Sequence, residues 1–236
     1  KMKITQLSPN IGANIDGVDL TKPLPPEVTG SIKAAWDQHL VLRFRNQSIN
    51  DDDLLRFSKY FGDLDPPGPN PYGVTFLPEY PEINVISNVK AADGTPIGNL
   101  GDGEAVWHAD MTYIRRPPVA GILYSLEVPT GQGNTYFSNM IYAYEALPTN
   151  LKKEIDGKIL IHDAAHNSAG MLRKGYSAVT DPSETPGARH PMIWTNTRGK
   201  QALFLGRRPY AHVVGLSVDD SNKLLDEIWS HATDPE

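Results

Sequence analysis

His108 and Asp110 stand one residue apart in the stretch Val106-Trp107-His108-Ala109-Asp110-Met111-Thr112-Tyr113. Residues 105–113 read as a strand, and in a strand residues i and i+2 point to the same face, so the imidazole and the carboxylate project together. A neutral imidazole nitrogen and a carboxylate oxygen suit a divalent first-row metal. They make two-thirds of the two-histidine, one-carboxylate facial triad that leaves three positions open on ferrous iron. Open positions are what oxygen activation needs. The same tripeptide also fits a hydrogen-bonded His–Asp pair, so the spacing alone leaves both readings standing.

The rest of the chain limits what such a pair could serve. Its 236 residues are 39% hydrophobic and 21% charged, enough to bury a substantial core as a single domain over 1–236. There is no cysteine, so any metal site must use His, Asp or Glu. A formal net charge of -6 with no basic cluster argues against nucleic acid or an anionic membrane as partner, because phosphate binding draws on clustered Lys and Arg. The partner expected is a small molecule. No apolar run is long enough to cross a bilayer and the first residues lack a signal-peptide core, so a cytoplasmic protein is expected.

The elements that must position the pair are strands in the middle and helices towards the ends. Gly and Pro, 20 of each, punctuate short apolar segments. Strands are predicted over 40–44, 83–88, 105–113, 121–126 and 134–137, and helices over 26–37, 51–61, 148–155 and 218–231. Asn50 and Ser217 are the expected caps of two of these helices. Residues 65–73 carry too many prolines for regular structure and read as a surface loop or lid. A mostly β architecture with flanking helices fits better than alternating βαβ units, which would need a helix after nearly every strand.

Over nearly its whole length the sequence resembles the taurine dioxygenase (TauD/TfdA) family of Fe(II)- and 2-oxoglutarate-dependent dioxygenases. The matching blocks are Ile11-Gly12-Ala13-Asn14-Ile15-Asp16-Gly17-Val18-Asp19-Leu20, His39-Leu40-Val41-Leu42-Arg43-Phe44-Arg45-Asn46-Gln47 and Trp107-His108-Ala109-Asp110. They continue with Gly131-Gln132-Gly133-Asn134-Thr135-Tyr136-Phe137-Ser138-Asn139-Met140, Ala143-Tyr144-Glu145-Ala146-Leu147, His190-Pro191 and Thr197-Arg198-Gly199-Lys200-Gln201-Ala202-Leu203-Phe204. The resemblance implies a double-stranded β-helix, the jelly-roll or cupin-like core, with His108 and Asp110 as the first two iron ligands. It also implies that Thr135 binds the distal carboxylate of 2-oxoglutarate, the cosubstrate consumed with O2 to give succinate and CO2. The implied substrate is a small organic acid: a sulfonate, a sulfate ester, a phenoxyalkanoate or another carboxylate. Relatives of this kind are commonly homo-oligomers.

The resemblance is incomplete at one place. The family's third iron ligand is a histidine in a downstream block, followed by an arginine for the far carboxylate of 2-oxoglutarate, and neither block occurs in these 236 residues. His162, His166, His190, His212 and His231 all follow Asp110, yet none sits in the matching context. The expectation is therefore that the core lacks its C-terminal strands here and that the working protein extends beyond Glu236. Substrate choice is expected from residues 66–73, 97–104 and 162–168, with Tyr72, Asn99, Glu104 and His166 as substrate-binding candidates. Arg207-Arg208 reads as a solvated pair. Two rival readings are a non-catalytic jelly-roll binding protein with a vestigial metal site and a cupin-like metal enzyme that does not use 2-oxoglutarate; Thr135 in its block weighs against the second.

Overall fold

A computed structural model describes residues 1–66, 68–100 and 106–235, which form two compact units. The first comprises residues 1–64 and 119–139, the second residues 65–118 and 140–236.

In the first unit, β1 (Lys3–Gln6) pairs antiparallel with β2 (Ala13–Asp16), Ile4 opposite Ile15. Helix α1 (Pro26–His39) follows, and β3 (Leu42–Arg43) returns parallel to β2, Ala13 opposite Leu42. Pro26 starts α1 where a missing N–H costs nothing, and its buried Ile32 and Ala35 recur at helical spacing. Helix α2 (Asp51–Lys59) has the expected cap: Asn50 Oδ1 accepts from the Asp53 amide at 2.9 Å, while Asp53 Oδ2 accepts from the Asn50 amide at 3.1 Å. This reciprocal pair satisfies two donors that the first turn would leave open. Phe57 of α2 packs edge-on against Phe44 and Phe61, closing a core with Ile15, Leu20 and Ile32.

The second unit begins with the parallel pair β4 (Ile86–Ser87) and β5 (Asn99–Leu100). Helices α3 (Met140–Ala146) and α4 (Thr149–Ile155) lead into β6 (Ile159–Ile161). Then come β7 (Arg189–Pro191), β8 (Ile193–Thr195), β9 (Gln201–Leu203), β10 (His212–Val213) and α5 (Val218–Ala232). Strand β6 lies between β10 and β7, antiparallel to both, and β8 forms a hairpin with β9. Ser217 caps α5 through the Asp220 amide at 3.1 Å, and Leu224, Leu225, Ile228 and Ala232 bury one stripe against Leu160, Met192 and Val213. Each buried Leu, Ile, Met or Val side chain among these contributes about 1.5–3 kcal/mol.

The architecture corrects the strand predictions. Among the described residues there is no closed barrel; the sheets hold two or three short strands each. Residues 121–126 and 134–137 form no strand, and Leu123, Leu126 and Tyr136 are exposed. A β-branched, aromatic-rich run becomes a strand only when a neighbour completes its ladder of hydrogen bonds, and propensity does not supply the neighbour. Residues 106–113 likewise form no continuous strand: His108 makes one isolated bridge to Arg207, and a turn begins at Asp110, where Met111 takes a positive φ of 49°.

Candidate active site

Although the strand breaks after one bridge, the geometry expected of it survives. His108 Nε2 lies 3.0 Å from Asp110 Oδ1, and His108 Nδ1–H donates to the Val106 carbonyl at 2.7 Å. The carboxylate raises the His108 pKa above its ordinary value, and the hydrogen bond from His108 lowers that of Asp110. The ring is thus oriented by a backbone acceptor on one nitrogen while the other shares a proton with a carboxylate. A divalent cation replaces such a proton with little rearrangement, since the outer N–H of a ligating histidine is commonly anchored in this way.

Backbone bonds from three places hold the segment that carries the pair. The Val106 amide donates to the Ser168 carbonyl at 3.3 Å on one side, and the Ala109 amide donates to the Gly206 carbonyl at 2.8 Å on the other. Past the pair, β7 and the residue before it tether the turn: His190 Nε2–H donates to the Thr112 carbonyl at 2.8 Å, and the Ala188 amide to the Tyr113 carbonyl at 2.9 Å. Both side chains keep access to solvent, Asp110 70% exposed and His108 28%. The donor set therefore fits a divalent metal through two ligands; among the described residues no third His, Asp or Glu joins them.

The other histidines are occupied elsewhere. His190 is spent on the turn, and His162 stacks on Phe204 and meets the edge of His190. His162 is 2% exposed with neither ring nitrogen hydrogen-bonded, so burial, reinforced by His190, lowers its pKa to about 3 and keeps it neutral. His212 is buried on β10, and His231 is exposed in the last turn of α5.

His166 lies against Tyr210, ring centroids 3.7 Å apart, and lines a small cavity with Asp163, Thr185 and Tyr210. Tyr72 lines a separate cavity of about 260 Å³ with Ser87, Asn88, Lys90 and Met171. Asn99 is buried, its Nδ2 donating to Asn84 Oδ1 at 2.5 Å, an arrangement that ties two chain segments together. Glu104 lies outside the described residues. Thr135 belongs to the first unit, exposed in a segment without regular secondary structure.

Sequence reasoning missed Asp163 and misread Arg207. Arg207 is not solvated: its side chain is 12% exposed, and Nη2 donates to Asp163 Oδ2 at 2.8 Å and to the His166 carbonyl at 2.8 Å. Arg208 turns away and donates from Nε to Asp226 Oδ1 at 2.6 Å. The available signal was Gly206 directly before Arg207, since a glycine following Phe204-Leu205 marks a close approach of backbone to another group.

Similarity to known proteins runs along nearly the whole chain. The profile of the family described as "Taurine catabolism dioxygenase TauD, TfdA family" matches residues 3–236. The pentalenolactone F synthase of Streptomyces avermitilis is 29% identical over 251 residues, covering 100% of this chain and 81% of that protein. The alpha-ketoglutarate-dependent 2,4-dichlorophenoxyacetate dioxygenase of Burkholderia sp. is 28% identical, covering 97% of this chain and 78% of that protein. Among solved structures, a taurine dioxygenase from Burkholderia xenovorans superposes with a TM-score of 0.71 at 28% identity, over 99% of this chain and 73% of that one. No described helix is long and apolar enough to cross a membrane. The chain belongs to the taurine catabolism dioxygenase TauD, TfdA family, a family of 2-oxoglutarate-dependent dioxygenases.

Proposed function

We propose that this chain is an Fe(II)- and 2-oxoglutarate-dependent dioxygenase that hydroxylates a small organic acid, releasing succinate and CO2. The observation that carries the reading is the His108–Asp110 contact, 3.0 Å across, on a segment whose backbone is bonded on both sides. When bound, Fe(II) with 2-oxoglutarate and O2 supplies an oxidant strong enough to hydroxylate a C–H bond. His108 and Asp110 would hold the metal, and both keep access to solvent. Thr135 is assigned to the distal carboxylate of 2-oxoglutarate through its matching block. The family profile covers residues of both compact units.

An acid is the substrate class assigned here, and the cavity beside Tyr72 is lined in part by Lys90, Ser87 and Asn88, residue types that suit one. Sulfonates, sulfate esters, phenoxyalkanoates and other carboxylates all fit that description, and the relatives act on varied compounds. A second reading, a binding protein with a vestigial metal site, is favoured by the lack of a third metal-ligating group among the described residues.

Anaerobic Fe(II) with 2-oxoglutarate separates the two. A competent dioxygenase gives a weak visible charge-transfer band, and then succinate once O2 and an accepted acid are added. Loss of both signals in His108→Ala and Asp110→Ala is the expected result. Absence of band and succinate from the wild type across a panel of sulfonates, sulfate esters and phenoxyalkanoates would leave the binding-protein reading.

A further inference from the structure

The segment carrying His108 and Asp110 has two flanks, and a single buried ion pair joins them. One flank is the stretch 162–168, whose Ser168 carbonyl accepts from Val106; the other is Gly206-Arg207, whose Gly206 carbonyl accepts from Ala109. Asp163 sets the shape of the first flank: its Oδ1 accepts from the Ala165 amide at 3.0 Å, and its Oδ2 from the His166 amide at 3.0 Å and from His166 Nδ1–H at 3.1 Å. Arg207 sits on the second flank, bridged to His108 through the backbone, and its guanidinium reaches back to Asp163 and to the His166 carbonyl. The stacking of His166 on Tyr210 ties the first flank to the chain three residues past Arg207.

We infer that Arg207 and Asp163 are positioning residues for the His108–Asp110 pair, locking together the two backbone edges that hold it in register. The inference rests on the reading of that pair as the metal site. Neither side chain is needed at the reacting atoms, because both act through the Gly206 and Ser168 carbonyls. Their burial, 12% and 2% exposed, makes the lock stiff: in a poorly solvated setting an ion pair with several hydrogen bonds resists opening, and removing one partner leaves a stranded charge. The His108–Asp110 contact spans one intervening residue, so a shift of either edge moves the imidazole relative to the carboxylate.

The test uses the intact chain with Mn(II) alone as probe, its affinity read from the electron paramagnetic resonance of free Mn(II), alongside hydrogen exchange of the Ala109 amide. His108→Ala and Asp110→Ala should abolish Mn(II) binding. Arg207→Ala and Asp163→Asn should weaken it about 10- to 100-fold, as loss of an outer partner of a metal site commonly does, and should speed exchange at Ala109. Arg207→Lys keeps the buried charge and recovers part of the loss. Leu225→Ala, in the α5 core and away from the lock, lowers stability but leaves Mn(II) affinity within about twofold. If Arg207→Ala and Arg207→Lys bind Mn(II) as the wild type does while His108→Ala does not, the lock is overturned and the metal site stands. If His108→Ala and Asp110→Ala leave binding unchanged, the metal reading falls and the lock falls with it.

Discussion

Gly206→Ala should destabilise the second unit far more than Gly199→Ala, although both glycines have positive φ, 65° and 75°. In the left-handed region a Cβ costs about 1–2 kcal/mol, and both variants incur that. Gly199 has nothing within 4 Å of the position a Cβ would occupy, so its cost ends there. A Cβ on Gly206 would stand 2.1 Å from His162 Nδ1 and 2.7 Å from Thr112 Oγ1. His162 has no room to yield, since its ring lies between Phe204 and His190 and is 2% exposed. Overpacking of this kind adds about 1–3 kcal/mol, which puts Gly206→Ala at about 2–5 kcal/mol in total. Urea unfolding followed by circular dichroism measures both variants. Because the Gly206 carbonyl accepts from Ala109, the displacement should also raise hydrogen exchange at that amide. Unfolding free energies for the two variants within about 0.5 kcal/mol of each other, inside the range of an ordinary surface substitution, would refute the claim that His162 is wedged against this glycine.

His162 should also shape the acid limb of stability. Its pKa falls from 6.5 to about 3 on folding, so the unfolded chain binds the extra proton between those values and stability drops as pH falls through them. The loss between pH 7 and pH 5 is about 2 kcal/mol, and His162→Phe, which cannot titrate, should lack this contribution in urea titrations at the two pH values. Ser221→Ala should cost about 1–3 kcal/mol, because Ser221 Oγ is the buried acceptor for the Val213 amide at 2.9 Å; an unchanged urea midpoint would remove that bond from the account. Asn50→Ala breaks the capping box of α2 and should lower stability by about 1 kcal/mol, with Asn50→Asp recovering most of it in the same assay.

The parts of this molecule that could be read from sequence are those decided within a few residues. Caps at Asn50 and Ser217, the apolar stripe of α5 and the shared face of His108 and Asp110 depend on local spacing, and each appears in the structure. The strands over 121–126 and 134–137 depended on a distant ladder partner that no local pattern can reveal, and they are absent. Arg207 shows the same limit for charge. Beside Arg208 it looked like ordinary surface, yet the two side chains part, one to buried Asp163 and the other to Asp226 at the surface. Which guanidinium turns inward depends on where the strand path delivers Asp163, 44 residues earlier. The His108–Asp110 contact was legible because residues two apart in an extended stretch need only local spacing to meet. The Arg207–Asp163 ion pair was not, because it joins residues 44 apart in sequence whose meeting depends on the tertiary fold.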